Sequence, residues 1–270
     1  SAFIGTSPES SYGQGMQIGL IMPSRFGVGT VVLQGLFLDK TPQLNLGNIF
    51  TIRSSFAKDI TDELYFGVGL YGGFGPDWAL AADIGFWYNI KHIKWLPFLK
   101  DARWAFSVTG LGKSYQKDIV ALNGELVSDF PSPFTPRVGV AGNLFDVKNF
   151  SGGISLDLSF PTFQNVVFNA GLEFMIANMI RISTGWKADL REILAEKTAL
   201  LPTAGISFKF NFSGSEDSFL AKKGWQKSEA EVSGAYQYFK DDLHLASGGM
   251  TLKLGQRDTV APEIILWDNE

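Results

Sequence analysis

Three groups of residues in this 270-residue chain have types and spacings that could do chemistry. The first is Gly67-Val-Gly-Leu-Tyr-Gly72, which fits the GxGxxG pattern of a dinucleotide-binding turn. That turn works by bringing a diphosphate against backbone N–H groups where a helix starts after a strand. Here the glycines alternate with Val68 and Leu70 inside a longer run, and no helical pattern follows. Inward glycines of a curved sheet wall explain them better. The second group is Asp242, His244 and Ser247, the residue types of a hydrolase triad. Such close neighbours on one strand cannot orient a nucleophile and its base. His92 stands apart from any acidic cluster, and the chain has no cysteine. No catalytic residues, cofactor or metal site are predicted.

The third group is the charges. Arg53, Asp83, Arg137, Asp157, Glu173, Arg181, Lys209, Glu229 and Glu231 each sit inside a run in which every second residue is apolar. On a barrel they would line the lumen. Opposite signs, such as Arg53, Arg137 and Arg181 against Asp83, Asp157 and Glu173, suit either a selectivity ring or ion pairs tying neighbouring strands. Pairing is the stronger expectation, because a buried charge without a partner is costly.

The elements that must position these charges are strands. In Ser151–Ile176, Ile154, Leu156, Leu158 and Phe160 oppose Gly153, Ser155, Asp157 and Ser159. After a break at Pro161–Gln164, Val166, Phe168, Ala170, Leu172 and Phe174 oppose Val167, Asn169, Gly171 and Glu173. A period of two is the mark of a strand whose faces meet different surroundings. Similar runs cover 15–23, 26–38, 49–58, 63–74, 77–91, 102–113, 136–145, 179–187, 203–212, 227–239 and 243–255. Many exceed the usual ~5–6 residues of a soluble strand and suit the ~9–11 of a membrane-crossing one. The charges keep to one face, and Trp and Tyr gather near strand ends, where membrane girdles lie. A soluble β-protein with the same alternation is the rival.

Composition agrees. Thirty Gly, 23 Phe, seven Trp and seven Tyr argue for an ordered, aromatic-rich β-protein. A net charge of −4 gives no sign of nucleic-acid binding. No run reaches the ~18 apolar residues of a membrane helix, so any crossing is by a closed barrel. The thirteen runs, completed by a short strand within Ser1–Tyr12, predict an all-β transmembrane antiparallel barrel of about 14 strands, with 12 as the fallback. It spans residues 1–256, with 257–270 as a tail or linker. The long connections at 39–47, 114–135 and 188–202 fall on one side, with the medium 92–101 and the long 213–226 as exceptions, which predicts periplasmic termini. In the last of these, Asp189–Lys197 reads as a short helix capped by Asp189, with Leu190, Ile193 and Leu194 on one face. That face is predicted to pack as a lid on the barrel mouth, or to gate a ligand.

Gly-rich alternating strands of this length, a count near fourteen and an N-terminal stretch with Ser7, Pro8 and Glu9 where an Asn-Pro-Ala signature often stands make the chain resemble FadL-type outer-membrane barrels. That superfamily includes long-chain fatty-acid and hydrocarbon transporters and the PorV-like barrels of a secretion system. The resemblance implies a Gram-negative-type outer membrane, surrounding lipid as a partner, and transport of a hydrophobic small molecule captured by external loops. The alternative it implies is an anchor or scaffold subunit of an envelope assembly. Arg257-Asp-Thr-Val-Ala-Pro-Glu-Ile-Ile-Leu266 is similar to lead-ins of Ig-like modules in bacterial surface proteins, which would make the tail a contact for envelope proteins.

Overall fold

The computed structural model describes residues 1–6, 11–38, 48–75, 77–90, 99–113, 119–120, 126–127, 134–194, 201–213, 227–239 and 243–254. The proposed tail, residues 257–270, lies outside them, as do His92 and Asp242.

The described residues are all-β apart from two short helical turns. The strands are β1 (Ala2–Thr6), β2 (Ser11–Ser24), β3 (Gly27–Leu38), β4 (Ile49–Asp59), β5 (Leu64–Phe74), β6 (Trp78–Ile90) and β7 (Lys100–Lys113). After them come β8 (Ile119–Val120), β9 (Leu126–Val127), β10 (Thr135–Val147), β11 (Phe150–Ser159) and β12 (Val167–Ile176). The last four are β13 (Ile180–Asp189), β14 (Leu201–Ser213), β15 (Lys227–Phe239) and β16 (Leu243–Lys253). β8 and β9 pair only with each other, inside the connection from β7 to β10. The other fourteen form one antiparallel sheet in which each strand pairs with its neighbours along the chain. β1, the short strand expected within Ser1–Tyr12, pairs with β2 on one side and β16 on the other, closing the sheet into a ring. It spans the join over His244–Gly248 of β16.

The register sorts side chains onto two faces. Across β12–β15, Glu173 stands opposite Ser183, Arg181 opposite Ser207, and Lys209 opposite Glu231. Arg181 on β13 also reaches Glu231 on β15, 3.4 Å away across the intervening β14. Side chains converge in this way on the concave side of a curved sheet, which identifies the charged face as the inner one. The apolar face is turned outward and is open: Ile18, Leu20, Ile52, Leu70, Leu80, Ile84, Phe168 and Ile206 are all exposed. Among the described residues the buried apolar set is only Ile49, Ala79, Ala102, Val167 and Ala230. The described residues therefore build no ordinary hydrophobic core in the interior.

Of the register shifts between β1 and β2, β7 and β10, β10 and β11, and β6 and β7, the last shapes the wall nearest Asp83. Ile84 pairs with Val108 and Ala82 with Leu111, so Thr109 and Gly110 together face Asp83. This is a β-bulge, and Gly110 takes the left-handed φ of +76° that such a position needs. The Asp83 carboxylate accepts the Gly110 N–H at 2.8 Å and so satisfies a donor the ladder has released.

Candidate functional site

All nine charges singled out in the sequence point to the inner face, and the structure separates them into pairs and exceptions. Arg137 Nη2 donates to Asp157 Oδ1 at 3.0 Å, and Asn169 Nδ2 donates to the same oxygen at 3.0 Å. Arg181 lies between Glu173 and Glu231, at 3.5 and 3.4 Å. Its Nε is buried and makes no hydrogen bond, because the 3.5 Å approach to Glu173 is ion-pair contact without bonding geometry. Glu231 also accepts the Ser207 hydroxyl at 2.8 Å. Glu229, only 5% exposed, holds Lys209 and Lys253 at 2.8 Å each.

Two of the expected partners behave differently. Arg53 meets no carboxylate among the described residues. Its guanidinium lies 5.1 Å from the ring centre of Tyr71, a cation–π contact. Asp83 meets no cation there, since the bulge N–H takes it. The expectation that Arg53 and Asp83 join the ion pairs is thus corrected. Arg53 faces the ring of its cross-strand neighbour Tyr71, and beyond it Tyr71 pairs with Ala81 rather than Asp83.

The triad types are pulled apart. The register puts Ser247 inward, opposite Ala235, whereas His244 faces outward beside Tyr238, with its Nδ1 2.6 Å from the Tyr236 hydroxyl.

The lid residues form α1 (Leu190–Leu194), a shorter helix than Asp189–Lys197 within the described residues. Asp189 acts as its cap: Oδ1 accepts the Arg191 N–H at 3.1 Å and an Asn165 Nδ2 proton at 2.8 Å. Leu190, Ile193 and Leu194 are 46%, 43% and 76% exposed. The described residues therefore give them no packing partner that would make a closed lid.

What sequence reasoning missed is a pair of hollows on the inner wall. The first, of about 190 Å³, is lined on its inner side by Trp87, Ala105, Gly139, Ala141, Ser155, Arg103 and Asp157. The second, of about 200 Å³, shares Arg103, Ala141 and Ser155 and adds polar groups from Asn143, Glu173 and Ser183. The floor is shallow because Ala105, Gly139, Ala141 and Ser155 occupy consecutive rungs of β7, β10 and β11. Trp87 forms a side wall, fixed by its indole N–H donating to Asn89 Oδ1 at 2.6 Å. Arg103 lies over its ring, 5.2 Å from the centre. The available signal was the alternation of Arg103, Ala105 and Ser107 with Trp104 and Phe106, which places Arg103 among the inward charges.

No family model matches the chain, and no curated protein matches it.

Proposed function

We propose that the protein is a bacterial outer-membrane β-barrel that carries hydrophobic small molecules, such as long-chain fatty acids, across that membrane. The observation that carries the membrane reading is the outward ladder of β6. Trp78 and Tyr88 bound it, and Leu80, Ala82, Ile84 and Phe86 fill the outward positions between them. Ten residues at about 3.3 Å each, tilted by about 40°, give a height of about 25 Å, the thickness of a barrel's apolar band. The same ends carry aromatics elsewhere: Trp186 and Tyr236 on the side of Trp78, and Trp104 on the side of Tyr88. Lys58 and Lys113 are the charged outward residues among those described, and they sit at opposite ends. Lys113 turns its ammonium to Asp77 at 3.1 Å and lies 4.1 Å from the Trp78 ring centre, as a lysine does when it snorkels to an interface. In water, an apolar surface of this extent would drive aggregation.

The transport part of the reading is supported by the inner wall. There, a hollow floored by small residues interrupts an otherwise hydrogen-bonded and charged surface. The test is expression behind an export signal. Recovery in the outer-membrane fraction, with a folded form that shifts on heating in gel electrophoresis, is expected. Loss of a labelled fatty acid from the medium, dependent on the protein, would establish transport. Solubility in plain buffer overturns the membrane reading. A folded barrel that transports nothing but co-purifies with an envelope protein would favour the scaffold alternative.

A further inference from the structure

We infer that the hollow beside Trp87 is a binding site for a single-ring aromatic carboxylate, with the ring on the floor of small residues and the carboxylate on Arg103. This rests on the transport reading and narrows its hydrophobic cargo at this hollow from a long-chain fatty acid to a smaller, single-ring acid.

Three observations lead to it. The first is charge. Arg137, Arg181, Lys209 and Lys253 on the same inner face each have a carboxylate partner. Arg103 has none among the described residues, and its face contact with Trp87 leaves the N–H edge of the guanidinium free. A planar cation with unused donors suits a carboxylate bound through two parallel hydrogen bonds. Asp157, the acidic group in the lining, is already occupied by Arg137 and Asn169. The second is shape. The hollow, open on one side, holds about 190 Å³, more than the roughly 150 Å³ of an enclosed apolar cavity that takes up a benzene molecule. The space suits one ring better than a long acyl chain, whose extension would enter the polar second hollow beside Asn143 and Glu173. The third is rigidity. The Asn89 bond holds the Trp87 indole edge, so a flat wall stands ready for a flat ligand.

The experiment uses the whole chain folded in detergent, its fold verified by the heat shift, with benzoate, benzyl alcohol and decanoate titrated calorimetrically. Benzoate is expected to bind at least about tenfold tighter than benzyl alcohol. R103Q should remove that preference, and R53Q, at another inner-face arginine that meets no carboxylate among the described residues, should leave it in place. G139L should abolish both. The site of Gly139 accepts a side chain, since a Cβ there meets nothing closer than 3.5 Å, and A141L is a second way to fill the hollow. Equal affinity for benzoate and benzyl alcohol, or benzoate binding untouched by R103Q, overturns the inference. Binding of decanoate alone overturns it too but leaves the transport reading standing. Failure of the chain to fold in detergent or reach the outer membrane overturns both.

Discussion

Lys209 on β14 bonds Glu229 on β15 at 2.8 Å, although its direct partner across the ladder is Glu231. The diagonal choice frees Glu231 for Arg181 and Ser207 and lets Lys253 join Glu229 from the far side. Two clusters result, Arg181, Glu231 and Ser207 across β13–β15 and Lys209, Glu229 and Lys253 across β14–β16, and they share β15.

Removing the acid at the centre should hurt most. E229A leaves two ammonium groups facing each other and is expected to cost about 1–2 kcal/mol, less than a sealed pair because the lysines reach water. K253A, whose side chain is 57% exposed, should cost about 0.5 kcal/mol or less. Urea unfolding in lipid vesicles measures both. Equal effects would mean that the buried position of Glu229 is unimportant.

A charge placed on the apolar ladder should be poorly tolerated. I84K, near the middle of the outward band, is expected to cost about 2–4 kcal/mol and to lower the yield of the heat-shifting form. A235K, facing inward, should change stability by less than about 0.5 kcal/mol. If the two variants behave alike, the outward face does not meet lipid.

The bulge gives a third prediction. G110A puts a Cβ on a residue with φ +76° and should cost about 1–2 kcal/mol. D83A strands the Gly110 N–H and should cost about 1–3 kcal/mol. Because both act on one hydrogen bond, the double variant should fall short of the sum. Full additivity would show that the carboxylate does not hold the bulge.

Asn165 ties two connections together: its Oδ1 accepts the N–H groups of Val166 and Arg191, and its Nδ2 donates to Asp189. N165A is expected to speed amide exchange at Arg191 about tenfold or more, equivalent to about 1.4 kcal/mol of local opening, with global stability unchanged. Unchanged exchange would mean that α1 stands without this anchor.

The strands and their faces were legible because a period of two survives any error in strand ends. Thus Asp157, Glu173 and Lys209 could be assigned to one face from their neighbours alone. Partners were not legible, because they depend on register and reach: Lys209 skips its opposite residue, and Arg53 meets a tyrosine ring. Arg103 was hidden for a related reason. Its run is cut by the bulge at Thr109 and Gly110, beyond which the alternation changes phase and Leu111 and Lys113 face outward. The hollow joins residues of β6, β7, β10 and β11, which no local spacing brings together. The β8–β9 ladder, only two residues a side, is too short to leave a periodic trace.

The pairing of β1 with β16 also sets a timetable for assembly. Each other rung of the ring joins consecutive strands of the sheet and can form as a hairpin or its extension. The rung from Ile4 to Ala246 has nearly the entire chain between its ends. Loop-closure entropy makes such a contact slow to form, so it should come last, after the hairpins have assembled. Until then β1 and β16 present bare strand edges, the surfaces through which unfinished sheets pair with one another. The five-residue β1 is thus the step at which folding and aggregation of this chain compete.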